Sequence, residues 1–328
     1  MKFRTEITVQ QAPFSITHHS RILTLGSCFA QHISTFLRRY RFKVLHNPCG
    51  VLYNPASVKA CLELIRSGQQ LSREDIDFHN EEWYSFNFDS SFSDADPDKC
   101  LEGMNRSLEQ ARRFVQSADC FIITYGTSFV YTFERTGQIV SNCHKIPSAQ
   151  FEHRRISAEE VEINLLETIK LIRQFSPQAN FILTVSPVRH WKDGAAQNQI
   201  SKSTLIVALH NVAGDDERIF YFPSYEILMD DLRDYRWYEQ DLVHPNQQAV
   251  EYIWEKFRQT FIPSSETELM NEIGQLMRAR EHRPRNPRSA SHKSFIDKQL
   301  QLIRSLQERY PHIDLLEDEE YFRRQIGE

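Results

Sequence analysis

Three residues of this chain have the types and spacing for acyl chemistry. Ser27 lies in Leu23-Thr24-Leu25-Gly26-Ser27-Cys28-Phe29-Ala30, and Asp241 and His244 lie in Asp241-Leu242-Val243-His244-Pro245-Asn246. The first stretch reads as a short apolar strand that ends at a glycine and breaks into Ser27, with a helical pattern from about Phe29 to Arg39. Such a turn lifts a hydroxyl off a sheet edge, and the helix amino terminus offers N–H groups to an oxyanion. Asp241 and His244 precede a helix that can start at Pro245. Their spacing lets the carboxylate hold Nδ1–H of the histidine, which fixes the tautomer and leaves Nε2 free to take a proton. Ser27, His244 and Asp241 then form a nucleophile, a base and an orienter. Taken singly, Ser27 reads as a helix cap and His244 as a turn residue. Together, in that order within one α/β domain, they read as a catalytic set. Cys28 reads as packing for the helix rather than as the nucleophile.

These residues need a sheet edge to meet on. Ile22–Leu25, Cys120–Thr124, Phe181–Val185 and Ile219–Phe222 read as strands buried on both faces, with 42–45 a weaker fifth. Between them, Val161, Leu165, Ile169 and Ile172 follow a helical stripe after a capping box of Ser157 and Glu160. Further helices are predicted over 197–212 and 250–261. The alternation predicts an α/β fold with a doubly wound parallel sheet, in which the first and last strands end at one carboxyl edge. An acidic, aromatic insertion at about 70–97 packs its rings on the core or lines a cleft. A hairpin is predicted over 129–140, with its turn at Arg135-Thr136-Gly137. Residues 1–262 are assigned to the main domain and 263–328 to a helical appendage, with helices over 266–280 and 295–310 and a flexible linker over 283–292. Leu300, Ile303 and Leu306 must cover the domain or a second copy, so a homodimer through these helices is one expectation.

A net charge of -5 argues against a general nucleic-acid binder, and no apolar run reaches the length of a membrane span. The start of the chain lacks the apolar core of a signal peptide. The six cysteines include no C-x-x-C pair and are expected as reduced, mostly buried thiols, which places the protein in the cytoplasm. No cofactor or metal is expected: His144, His190, His244 and Cys143 do not have common zinc-site spacing.

Gly26-Ser27-Cys28-Phe29-Ala30 reads letter for letter as the motif of the GSCFA-domain family, which resembles a branch of the SGNH, or GDSL-like, hydrolases. The resemblance runs from about Arg21 to Phe261. It includes Asn47-Pro48-Cys49-Gly50, Asn142-Cys143-His144-Lys145, Ser186-Pro187-Val188-Arg189-His190 and Tyr221-Phe222-Pro223-Ser224-Tyr225-Glu226. It implies Ser27 as nucleophile, Asp241 and His244 as the last block, and N–H groups of Ser27 and Gly50 as oxyanion donors. The third block usually brings an Asn; here it reads Tyr125-Gly126-Thr127-Ser128. Asn142 is assigned to that gap, with Thr127 and Ser128 as alternative donors and a plain turn as its structural role. His144, Lys145, Arg189 and His190 are assigned to substrate binding. Arg189 alternatively pairs with Glu226 and orders loops. Arg233, Asp234 and Arg236 are expected to brace the loop carrying Asp241 and His244, and Asp230 and Asp231 to be solvated. The resemblance implies a serine esterase acting on an acyl or acetyl ester of a sugar, glycan or lipid. The same residues can transfer the acyl group to another alcohol. The absent Asn and the helical tail motivate an alternative of a different class, a catalytically weak or inactive binding or scaffold protein.

Overall fold

The computed structural model describes residues 4–214 and 216–326. In chain order the elements are β1 (Arg21–Gly26), α1 (Cys28–Arg39), β2 (Lys43–His46), α2 (Pro55–Ser67), β3 (Asp77–His79), β4 (Glu82–Tyr84), α3 (Pro97–Val115), β5 (Cys120–Tyr125), β6 (Phe129–Phe133), β7 (Gln138–Val140), β8 (Phe151–Arg155), α4 (Ala158–Phe175), β9 (Asn180–Val185), α5 (Gly194–Ala213), β10 (Ile219–Phe222), a short α6 (Ser224–Glu226), α7 (Gln247–Phe261), α8 (Thr267–Glu281), α9 (Ala290–Arg309) and α10 (Leu316–Gln325).

Five strands form a central sheet in the order β10-β9-β5-β1-β2, and every neighbouring pair is parallel. Their side chains alternate between two cores. Leu23, Leu25, Phe121 and Ile123 face the core that includes residues of α2, α3, α4 and α5. Ile22, Cys120, Ile122 and Ile182 face the core that includes residues of α1 and α7. This double burial is why the strands read as apolar runs rather than as alternating patterns. The chain winds outward from β1 to β2, then returns across the sheet to β5. Beyond the carboxyl ends of β1 and β5, the reversal leaves a crevice of the kind where open α/β sheets hold ligands.

The predicted cap of α4 forms: Glu160 N–H donates to Ser157 Oγ at 3.1 Å, and Ser157 N–H donates to Glu160 Oε2 at 2.8 Å. Helix α7 starts two residues later than expected. Asn246 caps it through Oδ1 to Ala249 N–H at 3.0 Å, and Pro245 pairs instead with Tyr238. The predicted hairpin is joined by β8 into an antiparallel sheet, β7-β6-β8. Tyr84 and Phe86 of the insertion pack on Phe133, Val140 and Phe151 of that sheet, whereas Phe88 enters the main core.

Helices α8, α9 and α10 share a third core, which includes Leu269, Ile273, Leu300, Ile303, Leu306 and Phe322. Leu300, Ile303 and Leu306 are therefore covered within their own chain, which removes the reason for expecting a second copy over them. The expected linker is shorter, because α9 already begins at Ala290. A buried carboxylate is one of the ties between this unit and the rest. Asp318, 1% exposed, accepts from Arg280 at 2.7 Å and is ion-paired with Arg41, which follows α1. Removing one member of a buried ion pair costs more than forming the pair gains, because the partners stay desolvated. Asp318→Ala is therefore expected to lower stability by about 3 kcal/mol, measured as a shift of the urea unfolding transition.

Candidate active site

The turn after β1 is fixed by lack of space. Gly26 has φ +127°, and a Cβ there would lie 2.0 Å from the Thr124 carbonyl oxygen of β5. Asn47 clamps the same residue from the other side: its Oδ1 accepts from Gly26 N–H at 2.9 Å, and its Nδ2 donates to Gly26 O at 3.0 Å. The chain can leave the sheet here only through a glycine, and it enters α1 at once.

Ser27 is the amino-cap residue of α1 by position, yet its hydroxyl caps nothing. The residue is fully buried, and Oγ has no hydrogen-bond partner among the described residues. An unsatisfied buried hydroxyl costs about 1–3 kcal/mol. Asp241 and His244 form the expected pair, with Nδ1 of His244 at 2.6 Å from Asp241 Oδ2. Asp241 Oδ1 also accepts from Val243 N–H at 2.9 Å and His244 N–H at 3.0 Å. These two amides and the His244 ring hold the Asp241 carboxyl down at about 2, so it is ionised at any ordinary pH.

The first and last strands end at one carboxyl edge, as expected, with β5 and β9 standing between β1 and β10. The connection between α6 and α7 returns the Asp241–His244 pair to the crevice. Arg189, after β9, holds it there, donating from Nη2 to Leu242 O at 2.5 Å. Its guanidinium also stacks on Trp191 and Tyr238. Leu242 sits at φ +59°, a conformation unusual for leucine that this clamp and the Asp241 bonds maintain. Arg189 thus orders the loop, and not through Glu226, which instead accepts from Tyr221 Oη at 2.7 Å. Bracing from the preceding segment is largely by backbone: Arg236 O accepts from Asn246 Nδ2, and Glu239 N–H donates to His244 O. Asp231 is buried rather than solvated, accepting from Ile7 N–H and Tyr252 Oη.

A cavity of about 470 Å³ opens over this edge. Cys28, Tyr53, Thr127, Asn142, His190 and His244 contribute to its wall, as does Arg189; Ser27 does not. His190 meets Tyr53 edge-on, and burial, then the nearby Lys202 and His244, push its ring down to about 4, so it is neutral at neutral pH. Gly126 gives room for this contact: a Cβ there would approach His190 Nε2 to 3.0 Å and Ser27 Cβ to 3.5 Å. His144 and Lys145 stand apart. His144 Nε2 meets the carbonyls of Ser85 and Phe88, its ring stacks on Tyr84, and both residues line a separate depression of about 310 Å³. His144 ties the loop after β7 to the insertion, which the residue types alone did not reveal.

The expected oxyanion donors also differ. Ser27 N–H donates to Thr124 O at 3.0 Å and Gly50 N–H to Asn47 O at 2.8 Å, so both are engaged. The N–H groups of Cys28 and Phe29, in the first turn of α1, meet no oxygen acceptor among the described residues and lie toward the Cys28 sulfur. Asn142 keeps its place on the cavity; its Oδ1 accepts from His144 N–H at 2.8 Å, which leaves Nδ2 for another partner. Thr127 and Ser128 are tied to Ser201 of α5 through their side-chain oxygens, and Ser128 N–H donates to Ser201 Oγ as well.

The GSCFA family profile matches residues 21–257, and the profile of the GSCFA domain protein C-terminal domain matches residues 273–328. The chain belongs to the GSCFA family. No curated protein sequence matches it. Among solved structures it is similar to a carbohydrate esterase family 3 from Talaromyces cellulolyticus, at 8% identity over 77% of this chain and 99% of that one, with a TM-score of 0.37. It is also similar to a putative platelet activating factor from Streptococcus pneumonia, at 10% identity over 73% and 83%, with a TM-score of 0.38. Salicylyl-acyltransferase SsfX3 from a tetracycline biosynthetic pathway matches at 14% identity over 74% of this chain and 53% of that one, with a TM-score of 0.38.

Lys202 is a site feature that motif reading missed. It is fully buried, and Nζ donates to Ser186 O, after β9, at 2.7 Å and lies over the Tyr225 ring. The signal was its spacing from Leu205 and Leu209, which puts it on the buried face of α5. Burial pushes its ammonium from 10.5 down to about 7, against a smaller opposite pull from Cys28. Between those values the unfolded chain binds a proton that the folded chain does not, so this lysine's contribution to stability rises with pH. Lys202→Met loses the bond to Ser186 at every pH but removes the charge penalty. The stability of the variant relative to wild type is therefore expected to be more favourable near about pH 6 than near about pH 9.5, compared by urea unfolding at both values.

Proposed function

We propose that this GSCFA-family protein is an acyl hydrolase of the SGNH type that cleaves an ester through a covalent acyl-enzyme. The observation that carries the reading is the preformed Asp241–His244 pair, whose histidine opens onto the same cavity as the first turn of α1. A carboxylate on Nδ1 leaves Nε2 as the proton acceptor, and few structural roles need a half-exposed histidine held in that tautomer. The strand-to-helix turn offers two nucleophiles, the enclosed hydroxyl of Ser27 and the thiol of Cys28 on the cavity wall.

In the proposed cycle His244 Nε2 takes the proton of the nucleophile as it attacks the ester carbonyl. The carbonyl oxygen becomes an oxyanion beside the open N–H groups of α1, with Asn142 Nδ2 as a further donor. The bond to the leaving alcohol breaks, and His244 returns the proton to that alcohol. Water then attacks the acyl-enzyme by the same route and releases the acid. Asp241 stays ionised and stabilises the imidazolium formed in each step. The aromatic wall, with Tyr53, Phe129, Tyr131 and Trp191, suits a substrate with an apolar or ring-shaped face, as in an acylated sugar or lipid.

The test is turnover of p-nitrophenyl acetate and acetylated sugars by wild type and by two variants of the Asp241–His244 pair. His244→Ala is expected to lower kcat/KM by about 10²–10⁴-fold. Asp241→Asn is expected to lower kcat with little change in KM, because the acid orients the base and does not touch substrate. Equal turnover by wild type and His244→Ala would reject the reading.

A further inference from the structure

We infer that the nucleophile is Cys28 and that Ser27 is the buried residue that sets the turn; this rests on the acyl-enzyme reading above. Four observations converge. Cys28 lies on the cavity wall together with His244, whereas Ser27 is fully buried and takes no part in that wall. Ser27 N–H is spent on the Thr124 carbonyl of β5, so this residue continues the backbone pairing of the sheet edge. Cys28 N–H meets no oxygen acceptor among the described residues, and in acyl transfer the nucleophile's own N–H is a usual oxyanion donor. Finally, the enclosed ammonium of Lys202 and the amides of Cys28 and Phe29 favour negative charge on this sulfur.

The competing effects on the thiol define how it must react. Burial raises the Cys28 pKa, and Lys202 and the two amides only partly oppose that rise. The resting group is therefore the thiol, and it needs a base at the moment of attack. His244 supplies that base: the S–H proton passes to Nε2, Sγ bonds to the acyl carbon, and the ester C–O bond breaks. The alcohol leaves with the proton from His244, and a thioester remains on Cys28. Water attacks the thioester carbon, losing a proton to His244. The C–S bond then breaks, the acid departs, and the proton returns to sulfur. Atoms and protons balance with no further reactant. A thiol also needs less help than a hydroxyl, since its ordinary pKa lies near about 8.5 and sulfur is intrinsically a strong nucleophile.

Acid quench during turnover of p-nitrophenyl acetate, followed by peptide mass spectrometry, locates the acyl group. The expected result is an acetyl group on the peptide at Cys28 that neutral hydroxylamine removes, as it removes thioesters but not serine esters. Cys28→Ala, with an unchanged circular dichroism spectrum, is expected to lose the adduct and at least about 10²-fold in turnover. An acetyl group on Ser27 that resists hydroxylamine would overturn the inference while keeping the acyl-enzyme. Absence of turnover by wild type and His244→Ala alike would reject the parent reading instead. In that case iodoacetamide still reads the pairing, with Cys143 on the same wall as the internal reference. Cys28 alkylated faster than Cys143, and slowed by His244→Ala, supports a thiol paired with His244. Equal rates overturn it.

Discussion

The close approach of β1 and β5 at their carboxyl ends governs the rest of the site. The Thr124 carbonyl occupies the space that any side chain at position 26 would need, so the chain must turn there with glycine geometry. Three consequences follow. The amide of Ser27 is drawn to that carbonyl, which continues the sheet by one residue and fixes which face of the turn is buried. Helix α1 then starts at Cys28, with its first amides beside the crevice and meeting no oxygen acceptor among the described residues. Asn47, reaching across from the end of β2, can satisfy both backbone groups of Gly26 because no side chain intervenes. A single steric constraint thereby sets the position of two candidate nucleophiles, the amino end of α1 and the loop after β2.

The strands and the Asp241–His244 pair were legible for a simple reason. Strands buried on both faces leave apolar runs, and an Asp three residues before a His can meet it within one turn whatever surrounds them. Helices α2 and α3 were harder to see, although each begins with a Pro after an Asn or Asp cap, Asn54-Pro55 and Asp96-Pro97. Their cores mix cysteine, alanine and methionine with larger groups, which weakens the periodic signal. The distinction between Ser27 and Cys28 is of another kind. Adjacent residues at a strand-to-helix turn point in different directions, and the choice depends on whether the first amide pairs with the neighbouring strand. That pairing is a tertiary fact, set by the register of β1 on β5. The position of His144 away from the cavity was hidden for a related reason: its partners, the carbonyls of Ser85 and Phe88, come from a distant insertion.

The loop that bears Asp241 and His244 shows how a surface segment is made rigid without a core beneath it. Leu242 in the left-handed region costs about 1 kcal/mol or more. Opposing this are two amides on Asp241 Oδ1, the Arg189 guanidinium on the Leu242 carbonyl, and the stacking of that guanidinium between two rings. Arg189 thus orders the loop that carries His244, the alternative to the substrate-binding role assigned to it. Because it also borders the cavity, a bound anion would compete for the same guanidinium and loosen the loop that carries His244. A neutral ester places no such demand on it.

Lys202 completes the electrostatic picture from below the edge. An ammonium enclosed behind a crevice is poorly solvated, so it stays charged only to the extent that negative charge appears nearby. In the resting site that charge is absent, since Cys28 is protonated and Asp241 is half-exposed and already satisfied by His244 and two amides. An oxyanion or a thiolate at the first turn of α1 would be such a charge. The stabilisation of Lys202 and of the anion would then rise together, which is the asymmetry between resting state and transition state that acyl transfer requires.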